Sequence, residues 1–443
     1  MEAVACIVDS FAVFVNAATG TDTPDAGTKE KPLKSLNTAV TRAAGAGKRR
    51  VYACNAAPFE ENVKLTTGVS IYGGFSCGTW SYEVTPTRIA PTNPGYALHV
   101  DNVATRLVVS DVELTAKDAV ADGASSIAVF VNASQVSFVR AKLAAGAGKR
   151  GQDGAGGVAG ELVTVARVGG GENGPLVLDG YVGVTTSGGS PKECTCLGST
   201  GKSRGGGGGA AGSVGSPGTP PLGGGAGGAS AGGDSCLPSH DGKDGNGASA
   251  AAPAPKLTKL GTFEADGWLP AVGLEGIGFG AVGQGGGGAA GNDNVGGGGG
   301  GCGGCGGGPG SGGGGGGASI ALASRASQLQ LLDSTLSAAT SGDGGTGGAG
   351  GGGKLGGAGG NSGGAAGCVG GRGGKGGDGS AGGGGAGGIV AGVLYQGARP
   401  TLDAATESSI THGAAGAGGT GGAPGSNDGP EGQAGAVLDA EAL

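Results

Sequence analysis

The stretch GGAAGCVGGRGGKGGDGSAGGGGAGG, residues 363–388, holds glycine in one unbroken phase of three. Gly364, Gly367, Gly370, Gly373, Gly376, Gly379, Gly382, Gly385 and Gly388 lie on it, past residues as different as Cys368, Arg372 and Asp378. A flexible linker needs no phase. A helix of three residues per turn does, because every third residue returns to the same face. The period recurs at Gly148, Gly151, Gly154, Gly157 and Gly160, from Gly344 to Gly359, and from Gly413 to Gly425. Such a helix makes no internal hydrogen bonds and turns its N–H and C=O groups outward. Without a Cβ on the contact face, neighbouring helices approach closely and pair those groups laterally. That satisfies the backbone where no side chains build a core. The expectation is a bundle of polyglycine-II helices. Glycine supplies 116 of 443 residues but proline only 19, far below the ~15–20% of a collagen triple helix.

The first 145 residues read differently. KPLKSLNTAVTRAAGAGK carries Leu33, Leu36 and Val40 at helical spacing before a glycine stop, which predicts one short amphipathic helix. Around it lie short strands separated by turns, among them RVYAC, VSIYGGF, RLVVSDVEL and VSFVRAKL. SIAVFVNASQVSFVRAKL (Ser126 to Leu143) aligns without a gap on SIALASRASQLQLLDSTL (Ser319 to Leu336). YALHVDNVATRLVVSDVEL is an earlier copy and IVAGVLYQGARPTLDAAT a degenerate fourth. Each copy has the length of one coil of a parallel β-helix. Stacked coils would place Val109, Val112 and Leu114 over Phe138, Ala141 and Leu143 on the inside. The fold class expected is therefore all-β, a parallel β-helix with long glycine-rich insertions. Its parts are residues 11–145 (β-helix with one helix), 146–317 (glycine arms), 318–341 (coil), 342–388 (arm), 389–412 (coil) and 413–443 (C-terminal arm). Every insertion leaves after the last strand of a copy, hence from one corner of the stack.

VFVNAATGTDTPDAGTKEKPLKSLNTAV, followed by RRVYACNAAPFEENVKLTTGVSIYGGFSC, resembles the opening of right-handed parallel β-helix proteins over roughly Phe14 to Cys77. Joined to the glycine arms, the chain is similar to the glycine-rich β-helix surface proteins of myxobacterial-type soil bacteria. Those are labelled by loose analogy with the glycine-rich (PGRS-like) repeat proteins of mycobacteria. The resemblance implies a secreted or lipid-anchored envelope protein and maps no catalytic motif onto this chain.

Candidate chemistry is sparse. β-Helix lyases and hydrolases work with clustered acids, or an acid beside Arg or Lys, which points to Asp111, Glu113, Arg140 and Lys142. The competing reading is a ladder of opposite charges on neighbouring coils. The repeat puts Asp111 in register with Arg140, Glu113 with Lys142, and Arg140 with Asp333, so Asp111, Arg140 and Asp333 are expected in one column. His99, His240 and His412 lie far apart and read as incidental. The calcium nonapeptide is matched only in part by GGKGGDGS at 373–380, and DGKDGNG at 241–247 lacks EF-hand spacing. No cofactor is called for, with Ca²⁺ the one ion offered even a partial motif.

Nine cysteines in this setting indicate disulfides and an oxidising compartment. Cys54 and Cys77, 23 residues apart, lie about one coil apart and are expected to be bridged. Cys194, Cys196, Cys236, Cys302 and Cys305 are expected in disulfides of undetermined pairing. Zinc binding by the CTC and CGGC pairs is disfavoured by their spacing. Cys6 is the candidate for the cysteine left over. The net charge is −7 with no basic tract, which argues against nucleic acid. No apolar run reaches the ~18 residues of a membrane span. The start, MEAVACIVDS, carries no signal peptide and reads as a chain trimmed of its leader. The reading is a secreted or cell-surface structural or adhesive protein, with itself or surface glycans as partners. A polysaccharide lyase or hydrolase is the first alternative and an ice-binding protein the second.

Overall fold

The computed structural model describes residues 7–162, 187–198, 201–229, 235–362 and 367–443. Gly364 of the opening motif and Cys6 lie outside them. Within them, three parallel sheets run through the molecule. Sheet A orders Ala12–Val15, Arg50–Cys54, Ser70–Phe75, Leu107–Ser110, Gln135–Val139, Gln328–Leu332 and Thr401–Leu402. Sheet B orders Thr87–Ile89, Val112–Thr115, Lys142–Ala145, Thr335–Ala338 and Thr411–His412. Sheet C orders Val63–Leu65, Leu98–Asp101, Ser126–Asn132, Ser319–Arg325, Val390–Gln396 and Ala434–Asp439. The chain visits C, then A, then B in each copy, and each strand pairs with its counterpart in the next copy. Gln135 stands opposite Gln328 and Leu143 opposite Leu336, the register of the gapless alignment.

Single left-handed residues turn the chain between sheets. Asn102, Ala133, Ala326 and Gly397 do so between C and A, with φ from 46° to 94°. Asp111, Arg140 and Asp333 do so between A and B, with φ from 48° to 56°. Serines after these residues lock the corners: Ser134 Oγ accepts from Val103 N, Ser327 Oγ from Ser134 N, and Ser334 Oγ from Ala141 N.

The main core lies between the sheets. Val109, Val112, Leu114, Phe138, Ala141 and Leu143 are all buried in it. Helix α1 (Leu36–Gly45) covers its first end with Leu36, Ala39, Val40 and Ala43, an i, i+3, i+4, i+7 stripe. Leu33 lies outside the helix, buried in a bridge to Val15. Glu61 accepts hydrogen bonds from the N–H groups of Leu36 and Asn37 and places an anion at the helix N-terminus. A short helix α2 (Ala404–Ser409) follows the last strand of sheet A, capped by Asp403. The strands of sheet C at Ser126–Asn132 and Ser319–Arg325 are buried on both faces, which is why they read as continuous apolar runs. Their outer face is covered by a hairpin from the first insertion, Gly261–Glu264 and Gly267–Pro270, through Phe263 and Trp268. The C-terminal stretch does not stay an arm: Ala434–Asp439 returns to sheet C, its Val437 and Leu438 opposite Val393 and Leu394.

The glycine segments run as laterally hydrogen-bonded rods. Gly148, Gly151, Gly154, Gly157 and Gly160 donate to the carbonyls of Thr340, Asp343, Thr346, Ala349 and Gly352, one bond every three residues. Gly370, Gly373, Gly376 and Gly379 donate to Gly360, Gly357, Lys354 and Gly351. One expectation needs correction. A single glycine phase was expected to matter in 363–388, yet Gly371, Gly374 and Gly377 also donate, to Gly287, Gln284 and Ala281. A Cβ at Gly374 would lie 2.1 Å from the Asn246 oxygen, as tight as one at Gly373, 1.9 Å from that of Cys302. Only the third phase, Arg372, Lys375 and Asp378, faces solvent. The number of glycine phases thus tracks the number of packed faces. The edge rod 148–160 keeps one, the GGX rod 370–379 keeps two, and the buried rod 296–308, nearly all glycine, keeps three.

Candidate functional site

The charged residues of the ladder stand at the A–B corner, where the chain must adopt positive φ. Asp tolerates that conformation, whereas Arg140 there is uncommon. Register follows the repeat: Val139 is opposite both Ser110 and Leu332, so Asp111, Arg140 and Asp333 are successive in one column. The side chains divide unevenly. Arg140 Nε and Nη2 donate to Asp111 Oδ1 and Oδ2, each at 2.7 Å, in a two-pronged pair. Asp333 takes no share of it; its N–H donates to Asp403 instead. The column is therefore one of register, with a single ion pair in it. Glu113 stands opposite Lys142 as the repeat requires, but it forms an ion pair with Arg88, at 3.8 Å, on the other side.

Tyr82 completes the site and was not singled out in the sequence. Its loop starts at the Cys54–Cys77 disulfide, whose Cα atoms are 5.0 Å apart, and returns where Glu83 N donates to Gly74 O. Tyr82 Oη then donates to Asp111 Oδ1 at 2.8 Å. A cleft of about 210 Å³ opens here, lined by Tyr72, Phe75, Tyr82, Ser110, Asp111 and Arg140 among others. Gly73 gives it room, because a Cβ there would lie 2.3 Å from the Asp111 carbonyl oxygen. Tyr52 packs between Tyr72, Phe75 and Phe14 in a buried aromatic cluster beneath the cleft. Burial, then the bond to Asp111, raises the Tyr82 hydroxyl. The hydrogen bonds to Asp111 hold Arg140 still more firmly protonated than a free guanidinium. The cleft thus presents a proton donor, a fixed cation and flat rings. It holds one carboxylate, so the paired acids of glycoside hydrolysis are not assembled in it.

The other sequence candidates have structural partners. Cys194 bonds Cys302, and Cys196 bonds Cys305, so neither CTC nor CGGC offers thiolates to zinc. Cys236 bonds Cys368. Cys236, Asp241 and Cys368 are the only grouping with metal-ligand proximity among the described residues, and the disulfide occupies both sulfurs. His240 Nδ1 accepts from Leu237 N, and exposed His412 sits beside the Gly413 carbonyl. His99 stacks on Phe130 at 5.2 Å beneath the 261–270 hairpin, and its buried Nε2 has no partner.

The aspartates of the calcium-like motifs do something the motifs did not suggest. Asp244 Oδ1 accepts from Arg372 N while Gly245 N donates to Arg372 O. The same two-point clasp joins Asp241-Gly242 to Val369, Asp153-Gly154 to Thr346, and Asp343-Gly344 to Ala417. The carboxylate takes the N–H that a rod presents on its exposed face, where no further rod can accept it. Asp378 likewise accepts from Gly353 N and pairs with Lys375.

No helix among the described residues is long and apolar enough to cross a membrane. The four disulfides fit an oxidising environment. Comparison with protein-family models, curated proteins and solved structures finds no match.

Proposed function

We propose that the chain is a structural, adhesive protein of the extracellular or cell-surface kind. In this reading the three sheets are the faces of a parallel β-helix, and the glycine rods form a polyglycine-II bundle built out from one of its corners. The observation that carries it is the lateral hydrogen bonding of the rods at every third residue. A chain that spends this much glycine on a stiff, cross-bonded body, fixed by disulfides, has built a scaffold. The cleft at Tyr82, Asp111 and Arg140 is its contact site for surface glycans. Sugars offer apolar ring faces to aromatic side chains and hydroxyls to fixed charges, and the cleft pairs the two.

A glycan array run beside a uronate-lyase and glycosidase screen tests this. Polymer binding without turnover is expected, weakened about tenfold by Tyr72→Ala. Turnover of any polymer would replace the adhesive reading with the polysaccharide-enzyme one.

A further inference from the structure

The buried rod 296–317 is hydrogen-bonded to neighbours along its length, but not on the same sides throughout. On one side, Gly308, Ser311 and Gly314 donate to Val158, Ala155 and Gln152. On the second, Gly301, Gly304 and Gly307 donate to Gly371, Gly374 and Gly377. The third donor face is used only at one end: Gly297 and Gly300 donate to Gly209 and Gly206, and Gly303 to Ser203 Oγ. Segment 342–360, segment 273–289 and Gly189 approach the carbonyls on the remaining sides. Past this end, none of the described residues continues the lane filled by 203–209. Pro309 has no N–H to give, and the N–H groups of Gly312 and Gly315 have no acceptor among the described residues.

The lane opens into a groove of about 390 Å³. Its floor is Gly312, Gly314 and Gly315, its apolar wall Pro270 and Val272, and its other wall Gln152, Asp153 and Asp122. Val272 is 57% exposed.

We propose that this lane binds an extended, proline- and glycine-rich peptide of another protein, in the left-handed helix of three residues per turn. The occupant's conformation follows from 203–209, which fills the same lane as extended glycine-rich backbone. Its carbonyls take the N–H groups of Gly312 and Gly315. Proline suits the apolar wall and arrives already extended, which lowers the ordering cost. Asp122 favours a basic residue at the peptide's end. The proposal does not depend on the glycan cleft, and the two are tested separately.

The probe is a short peptide of Gly-Gly-Pro repeats ending in lysine, added to the intact protein. Hydrogen exchange over residues 309–316 should slow roughly tenfold with the peptide, and the same peptide built with D-proline should have no effect. Val272→Asp should weaken binding about tenfold, a loss of about 1.4 kcal/mol. Asp122→Lys, outside the rods, should weaken it while leaving the melting curve unchanged. Leu355→Asp, exposed on another rod, should leave binding intact. Exchange already slow without peptide would mean that the chain fills its own lane. Self-association blocked by Val272→Asp would assign the lane to a second copy. Either result, or equal binding of the D-proline peptide, overturns the proposal.

Discussion

Asp244 is an ordinary exposed residue by composition, yet it holds the one N–H of Arg372 that no rod can reach. Replacing it with alanine removes that acceptor while leaving the Gly245 bond in place, at a cost of about 1 kcal/mol. Asp244→Asn keeps an acceptor oxygen and should recover most of the loss in urea titrations. The clasp at Asp153 also predicts a pH response. Arg150, and after it the Thr346 N–H, hold the Asp153 carboxyl well below its usual range. A folded-state pKa below the unfolded one means that the stabilisation is complete above the unfolded value, about 4, and fades as pH falls through the folded value. The contribution of this clasp to the melting temperature should therefore be lost in acid below about pH 4 and be constant around neutrality. Asp153→Asn should flatten part of the acid drop in melting temperature; an unchanged acid slope would mean that the clasp contributes nothing.

Among elements, the glycine rods are where spacing is most diagnostic. Gly373→Ala and Gly374→Ala should each destabilise by roughly 1–3 kcal/mol, since each new Cβ meets backbone that cannot swing aside. Arg372→Ala, on the open face, should be near neutral. Thermal melts of the three variants decide it, and a mild Gly374 variant would restore the single-phase reading. The single-phase reading fails because GGX puts glycine in two phases at once and both are packed. The β part was more legible, because register is carried by side chains that repeat, and Ser126–Leu143 on Ser319–Leu336 is the register seen. What the sequence hid is contact between residues with no shared pattern, such as Tyr82 with Asp111, or the 261–270 hairpin on sheet C. That hairpin yields its own prediction. Burial lowers the His99 pKa from 6.5 and Lys64 lowers it further, against the opposing pull of Asp101 and Asp266; Tyr96 also packs on the ring. The unfolded chain then binds the proton more readily, so stability falls as pH drops below about 6.5. In a Trp80→Phe background, Trp268 emission should shift towards that of exposed tryptophan in this range, and His99→Phe should abolish the shift.

At the scale of the whole molecule, the disulfides show how one chain holds two kinds of structure together. Cys54–Cys77 spans 23 residues and fastens a loop onto sheet A, whereas Cys236–Cys368 spans 132 and ties distant rods. Cys194–Cys302 and Cys196–Cys305 span 108 and 109 residues, so they close nearly the same loop. A disulfide stabilises in large part by removing loop-closure entropy from the unfolded chain, about 4.7 kcal/mol for a loop of roughly a hundred residues. Once either bridge has closed that loop, the other closes a ring only a few residues around, and its entropic contribution is far smaller. The two bridges are therefore strongly non-additive. Cys194→Ser with Cys302→Ser, or Cys196→Ser with Cys305→Ser, should each lower stability only modestly. All four changes together should cost about 4 kcal/mol. The loss should concentrate in the rods, because the strands of the sheets pair independently of these bridges. Hydrogen exchange resolves this: in the quadruple variant, protection should collapse over 296–317 and persist over Gln135–Val139 and Gln328–Leu332. Equal, additive losses from the two bridges would refute the shared loop, and a collapse of the sheets as well would show the rods to be a condition of the β fold rather than an outgrowth of it.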